Sequence, residues 1–425
     1  MNNDELGLHE VVKFRELVKT IPDSTYITHT LYAYPAKFIP HVVRYAIDKY
    51  TDEGDWVFDP FAGYGTVGIE ASLMGRNAEL WDLNPITRVL TYASIYRERV
   101  SSSDFEIDWE YERPFHPKLA SIMYWYRPEF YTILSRAWGY WHWEVYEKSN
   151  TLKEKSKAFL VSIPLLKVSR FFSYTDEKMM KTSRTKYAEE KVKNLLKSNW
   201  RDALINMYWS TVKSVSEKIK DYLSYNPKDS KIVVKTSWKR DKLVIFDSLR
   251  EKLDRDVRLM ITSPPYLQAQ KYIRSFEIEL SWLGFSSRDI RMLEKREIPY
   301  NKPIKVEINS KTYRNYREKI RSLRHQKLLE IYDSYFDSLI QFLNNNYHRI
   351  ETMTIFVGPV KIRNIRIPID EIIKEHLETL GYTHIGTMID KIMRRRLFRT
   401  EINPSSRLPE ERTPTEHLLI MRSRK

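Results

Sequence analysis

The sequence predicts an α/β protein with a mostly parallel, doubly wound sheet, interrupted by a largely helical insertion. Three observations predict it. Residues 55–82 read as strand, glycine turn, helix and strand in close succession. Short apolar runs with strand character return at "KLVIFD" (242–247), "VRLMIT" (257–262) and "TMTIFVG" (352–358). From about 101 to 230 the pattern is helical, dense in aromatics and poor in strand signals.

In chain order, "DWVFD" is a short buried strand, "PFAGYG" a glycine turn and "TVGIEASLMG" a helix ending at Gly75. "AELWD" closes this first βαβ unit. Within the helical stretch, "YWYRPEFYTILSRAWGYWHWEVY" (124–146) carries ten aromatics and reads as the core of the insertion rather than as a stacking surface. "VRLMIT" leads into two prolines, which end that strand. "IDEIIKEHLETLG" (369–381) is an amphipathic helix closed by Gly381, and "THIGTMIDKI" pairs with the terminal "EHLLIMRS" as an antiparallel edge. Three segments follow: 1–100 with the glycine turn, 101–230 as the helical insertion and candidate recognition region, and 231–425 with the double proline and the last strands.

Composition narrows the function. The 425 residues hold 71 Lys and Arg against 56 Asp and Glu, a net charge of +15 that favours a polyanionic partner, nucleic acid first. No cysteine is present, which excludes thiolate metal sites and a cysteine nucleophile. The ten histidines show no HxxxH pairing, so no metal site is expected. "MNNDELGLHEVVKF" does not read as a signal peptide, and no apolar run has the length of a membrane span. A cytoplasmic protein is expected.

Two stretches carry chemistry. In "DPFAGYGTVG", Gly63, Gly65 and Gly68 formally satisfy G-x-G-x-x-G, and Asp82 ends the next strand. A dinucleotide site is one reading. Asp59 before the glycines favours a ligand with an ammonium at one end and a ribose at the other, because a pyrophosphate would be repelled there. S-adenosylmethionine is such a ligand: Asp59 lies near its ammonium, the glycines let the backbone approach, and Asp82 reaches the ribose diol. In "ITSPPY" (261–266), Thr262 and Ser263 precede Pro264 and Pro265, and Tyr266 follows. The plain reading is a loop. The chemical reading is a pocket for a flipped base, with the Ser263 hydroxyl and the rigid Pro264 carbonyl accepting from an amino group and Tyr266 stacking on the ring.

Together, "DPFAGYGT" and "TSPPY" resemble the two signature motifs of the DNA amino-methyltransferases. "THTLYAYPAKFIPHVV" (28–43) is similar to the segment that covers the cofactor's methionine end in that family, which adds Pro35 and Lys37 to the cofactor residues. "VIFDSLREKL" (244–253) resembles the strand whose Asp lies near the adenine, here Asp247. "TSPPYLQAQKYIRSFEIELSWLG" (262–284) resembles one subgroup. The resemblance covers about half the chain in the order cofactor motif, insertion, catalytic motif, the family's α-like arrangement. It implies a Rossmann-like class I methyltransferase with Asp59, Phe61, Gly63, Gly65, Thr66 and Asp82 around S-adenosylmethionine. Ser263, Pro264, Pro265 and Tyr266 would then be catalytic. Without cysteine the cytosine C5 route is closed, which leaves cytosine N4 or adenine N6. A Ser at the first position of the catalytic motif is associated in this family with cytosine N4.

The implied partner is double-stranded DNA, with a cognate restriction endonuclease beside it. Residues 291–327 hold twelve Lys and Arg against four Glu, and residues 167–201 hold ten against four acids. Arg314, Arg317 and Arg321 in the first stretch and Arg170, Arg184 and Lys186 in the second are the candidate phosphate contacts. "KIMRRRLFR" (391–399) is a further candidate grip. Solvated helix faces remain the plain alternative for all of them. The rival functions are an RNA amino-methyltransferase and a catalytically silent DNA-binding relative.

Overall fold

The computed structural model describes residues 9–176, 182–239, 242–267, 271–391 and 415–424. Eight strands form the main sheet: β1 (His9–Val12), β2 (Trp56–Asp59), β3 (Asn77–Asp82), β4 (Ile232–Thr236), β5 (Val257–Thr262), β6 (Ile350–Val357), β7 (Tyr382–Lys391) and β8 (Thr415–Ser423). Their order is β1-β7-β8-β6-β5-β2-β3-β4. Every neighbouring pair is parallel except the two made by β8. The strand order reverses between β2 and β5, and the crevice beyond the carboxyl ends of strands at such a point is where α/β sheets bind ligands.

The principal helices are α1 (Pro40–Tyr50), α2 (Thr66–Met74), α3 (Ile86–Ser94), α4 (Pro128–Tyr140), α5 (Leu152–Phe171), α6 (Lys186–Lys197), α7 (Trp200–Ser224), α8 (Glu277–Trp282), α9 (Lys311–Arg321), α10 (Gln326–Asn346) and α11 (Ile369–Thr379). Both faces of the sheet are covered, so its central strands are apolar throughout rather than alternating. Val57 of β2 packs with Val42, Val43 and Val67 on one face. Its neighbour Phe58 packs with Trp81, Leu339 and Ile340 on the other.

A third core fills the helical segment. There Trp138 of α4, the adjoining Trp141 and Phe159 of α5 lie fully buried beside Ile86 and Val89 of α3. The aromatic stretch at 124–146 is therefore packing, as its pattern predicts. Helix α5 runs against α3 and α7, which fastens the helical segment to the first βαβ unit.

Two expectations need correction. "KLVIFD" contributes only Lys242–Leu243 to a two-residue hairpin with Trp238–Lys239, and residues 244–247 are irregular. The strand beside β3 is "IVVKT" at Ile232–Thr236. The β7–β8 pair is antiparallel as expected, but β1 adds in parallel outside β7, so that pair is not the sheet edge. No helix among the described residues is long and apolar enough to cross a membrane.

Candidate active site

The glycine turn is held from two sides. Gly63 and Gly65 take φ values of +53° and +90°, a region that favours glycine. The Gly63 N–H donates to Asp82 Oδ2 at 2.7 Å, and the Asn84 N–H donates to Asp82 Oδ1 at 2.7 Å. Asp82 at the end of β3 thus braces the turn after β2. Burial pushes its carboxyl up to about 6, with the two backbone donors pulling the other way. A Cβ on Gly63 would lie 3.2 Å from Tyr34, so the turn sits close beneath an aromatic cover.

A cavity partly open to solvent lies over this turn. Tyr34, Ala36 and Lys37 cover it from the N-terminal segment. Phe61, Gly63 and Asp82 line it from the βαβ unit, and Asp247, Ser248 and Leu249 from the loop after β4. Ser263, Pro265, Tyr272, Arg296 and Glu297 complete the wall. Residues some 200 positions apart in sequence therefore face one space. Tyr34 and Tyr272 stack at 6.4 Å with 23° between their planes. Arg296 Nη1 lies 3.4 Å from Asp247 Oδ2.

Of the residues predicted for the cofactor, Phe61, Gly63, Asp82, Asp247 and Lys37 line the cavity. Lys37 is also engaged elsewhere: its ammonium donates to the His29 carbonyl and lies 5.1 Å from the Tyr64 ring centre. Pro35 is buried between the lining residues Tyr34 and Ala36 and does not itself line the cavity. Gly65 caps α2, where a Cβ would sit 2.1 Å from Thr91 Oγ1. Thr66 is buried, with its hydroxyl 3.4 Å from the Phe38 carbonyl.

Asp59 is 1% exposed and does not line the cavity. Its Oδ1 accepts from Thr262 Oγ1 at 2.7 Å and from the Phe61 N–H at 3.1 Å. Burial pushes this carboxyl up to about 7 against those two donors.

In the Ser-Pro-Pro-Tyr segment, Ser263 and Pro265 face the cavity, while Pro264 is buried beside them. Tyr266 is not part of the lining. Its hydroxyl donates to Glu416 Oε1 at 2.6 Å, and its ring packs against the core on the α10 face.

The candidate phosphate contacts divide. Arg170 is 5% exposed and its Nη1 reaches Glu279 Oε1 at 2.6 Å, so it is an internal ion pair and not a DNA contact. Tyr32 donates to the same oxygen at 2.6 Å, and the cluster ties α5 to α8 and the N-terminal segment. Arg184 is bound to Glu189 at 2.9 Å and lies over the Tyr174 ring at 3.9 Å. Arg317 is held bidentately by Asp333, with both distances 2.8 Å, which removes it from the free cations. Lys186, Arg314 and Arg321 keep their side chains at the surface. Of 391–399 only Lys391 falls in a described strand, and 392–399 lie outside the described residues.

Tyr34, Tyr272, Arg296 and Glu297 are not distinguished by the sequence alone. Tyr34 and Tyr272 fall inside the two segments "AYPAKF" and "QKYIRS", and an aromatic there is the available signal. Glu297 in "KREIPY" carries none, since it reads as one more charge in a basic run.

A mostly parallel doubly wound sheet with one reversed strand, a glycine turn after a central strand and an acid ending the next define a Rossmann-like methyltransferase fold. Residues 16–134 match the family model for N6/N4-type DNA methylases. Type II methyltransferase M.BsoBI of Geobacillus stearothermophilus is 23% identical over 313 residues, 67% of this chain and 58% of that protein. Type II methyltransferase M.MjaII of Methanocaldococcus jannaschii is 30% identical over 69 residues, 16% of this chain and 13% of its own. The aligned part thus spans little more than half of the first relative and a short stretch of the second. The chain is thus similar to DNA amino-methyltransferases, by the family match over residues 16–134 and by the alignment to a Type II methyltransferase. The solved rRNA methyltransferase aviRa from Streptomyces viridochromogenes aligns over 92% of this chain and 88% of its own at 7% identity. Its TM-score of 0.28 does not by itself establish a shared fold.

Proposed function

We propose that the protein transfers a methyl group from S-adenosylmethionine to the exocyclic amine of a base extruded from duplex DNA. The target atom is cytosine N4, and the setting is the modification half of a restriction–modification pair. One observation carries the reading: Ser263 and Pro265 face the same cavity as Gly63 and Asp82. A glycine turn with an acid beneath it suits an adenosyl ribose, and a hydroxyl beside rigid prolines suits an amine. The family match and the Type II methyltransferases among the relatives support the same reading.

The residues present fit the cofactor. Gly63 offers close backbone approach, Asp82 retains lone pairs for ribose hydroxyls, and Phe61 and Tyr34 offer apolar faces for the adenine and the methionine chain. When bound, S-adenosylmethionine supplies an electrophilic methyl group.

The chain's own contribution is positioning. Ser263 Oγ accepts a hydrogen bond from the amine, and the Pro264 carbonyl is a second acceptor held rigid by its ring. Both turn the nitrogen lone pair out of conjugation with the base. A serine does not take a proton near neutral pH, so the amine proton leaves after transfer. Lys186, Arg314 and Arg321 at the surface serve as phosphate contacts.

The choice of cytosine N4 rests on Ser263 at the first motif position. Incubation with methyl-labelled S-adenosylmethionine and either duplex DNA or RNA tests the substrate class. Nucleoside digestion with mass spectrometry then separates N4-methylcytosine from N6-methyladenine. Label in RNA alone, or in neither, overturns the reading.

A further inference from the structure

Glu297 is an acid of this cavity that the chemistry above leaves unused. It is 8% exposed and lines the cavity wall. One carboxyl oxygen, Oε1, accepts the Ile273 N–H at 2.8 Å. The other, Oε2, is buried and has no hydrogen-bond partner among the described residues. The adjacent cation does not neutralise it, because the Arg296 guanidinium is turned to Asp247. A buried carboxyl in a cavity wall, with one oxygen anchored and the other unsatisfied, calls for a further polar partner.

We infer that Glu297 is a specificity-determining contact for the amidine edge of an aminated heterocycle. Its Oε2–H donates to the ring nitrogen, and Oε1 accepts from the neighbouring amine. The inference rests on the methyltransferase reading. Cytosine (N3 and N4) and adenine (N1 and N6) present that edge, whereas the keto bases place an N–H beside a carbonyl. Two sources can supply it here: the adenine of the cofactor and the target base.

The surroundings favour the protonated form that such a contact needs. Burial, with the negative charge of Glu294, pushes the Glu297 carboxyl up to about 8, against the Ile273 and Tyr272 backbone N–H groups and the Lys271 charge. The other ionisable groups facing this space are Tyr34, Lys37, Tyr64, Tyr272, Asp82 and the Arg296–Asp247 pair. At neutral pH the carboxyl therefore carries its proton and is a donor.

The test uses the full chain as wild type, Glu297→Gln and Glu297→Ala. S-adenosylhomocysteine affinity without DNA is measured by calorimetry, and single-turnover methylation of duplex DNA at saturating S-adenosylmethionine is measured separately. If the edge belongs to the cofactor, wild-type affinity falls roughly tenfold between pH 7 and pH 9 as the proton is lost. Glu297→Gln, which keeps a donor and an acceptor at every pH, stays flat, and Glu297→Ala binds weakly throughout.

If the edge belongs to the target base, affinity is the same in all three, and the same pattern appears in the transfer rate. Matching pH profiles for Glu297→Gln and wild type in both measurements overturn the inference. That comparison survives a Glu297→Ala variant that fails to fold, because glutamine still accepts from Ile273. A wild type that neither binds S-adenosylhomocysteine nor methylates DNA would sink the methyltransferase reading, and this inference with it. Intact wild-type activity with unmoved variant profiles sinks this inference alone.

Discussion

Thr262 Oγ1 donates to Asp59 Oδ1 at 2.7 Å, joining the end of β5 to the end of β2 across 203 residues of sequence. The two strands are parallel neighbours, so this bond fixes where the glycine turn and the Ser-Pro-Pro-Tyr segment leave the sheet relative to each other. Asp59 works here as a brace between the motifs. It lies outside the cavity lining.

Asp59 makes a pH prediction. Its folded carboxyl sits near 7 against an ordinary 3.8 because of burial. The native state then keeps a proton that the unfolded chain loses between those values. The stability it contributes is fully present below about pH 4 and is lost as pH rises through 7. Asp59→Asn keeps an acceptor and removes the ionisation, so its Tm relative to wild type should improve from pH 5 to pH 8. Parallel Tm–pH curves would refute this. Asp59→Ala instead strands two buried donors, at about 1–3 kcal/mol each.

How much of this is legible in the sequence follows from the range of each interaction. The unit at 55–82 is local: buried strand, left-handed glycines and capped helix all lie within one window, and each is readable. The strand Ile232–Thr236 is not, because "IVVKT" is short and flanked by lysines, and only pairing with β3 makes it a sheet strand. "KLVIFD" has the stronger apolar run, yet it leads instead into the cavity wall at Asp247. Arg170 and Arg317 cannot be told from their exposed neighbours, since one partner is 109 residues away and the other belongs to the next helix. Counting charges measures a face, and it does not show which side chains turn inward.

Gly65 offers a test of the turn. At φ +90° any side chain is strained, and a Cβ would lie 2.1 Å from Thr91 Oγ1. Gly65→Ala should destabilise the protein by about 1–3 kcal/mol from backbone strain, with the clash against α3 adding to it. Adding Thr91→Ala should recover only the part due to that clash. Full recovery, or no destabilisation at all, in denaturant melts would show that the backbone geometry at Gly65 is not required.

The basic helix α9 should divide in function. Replacing Arg314 and Arg321 by Ala should weaken duplex binding and reduce the salt slope by about 0.9 for each phosphate no longer neutralised. Arg317→Ala should leave the slope unchanged and cost about 0.5–1 kcal/mol of stability, because its guanidinium serves Asp333. Titrations of the three variants at several salt concentrations check this. A slope that follows Arg317 would place that residue on DNA.

Asp82 should matter for the cofactor before any DNA is present. Its two oxygens already accept from Gly63 and Asn84, so Asp82→Ala removes ribose acceptors and loosens the turn together. A charge-assisted bond is worth about 1.5–3 kcal/mol, or roughly ten- to a hundredfold in Kd. Calorimetry with S-adenosylhomocysteine reads it directly. An unchanged Kd would mean that the adenosyl group lies elsewhere.

Ser263 is the sharpest test of transfer. Its position is set by the end of β5, where Thr262 is pinned to Asp59, and by the prolines that follow. Ser263→Ala therefore deletes one hydroxyl and leaves the local backbone and the Asp59 brace in place. In the proposed reaction the hydroxyl's partner is an amine whose nitrogen must become tetrahedral, so the interaction grows toward the transition state and its removal falls on the rate more than on binding. S-adenosylhomocysteine affinity and Tm should stay near wild type, while single-turnover methylation should slow by on the order of tenfold or more. Tyr266→Phe is the companion variant. It breaks the 2.6 Å bond to Glu416 but keeps the ring, so a stacking role predicts near-normal transfer. Tyr266→Ala should lower Tm, because the ring packs against the core on the α10 face and its hydroxyl holds Glu416. A Ser263→Ala enzyme that transfers at the wild-type rate would leave the double proline as the end of a strand and nothing more.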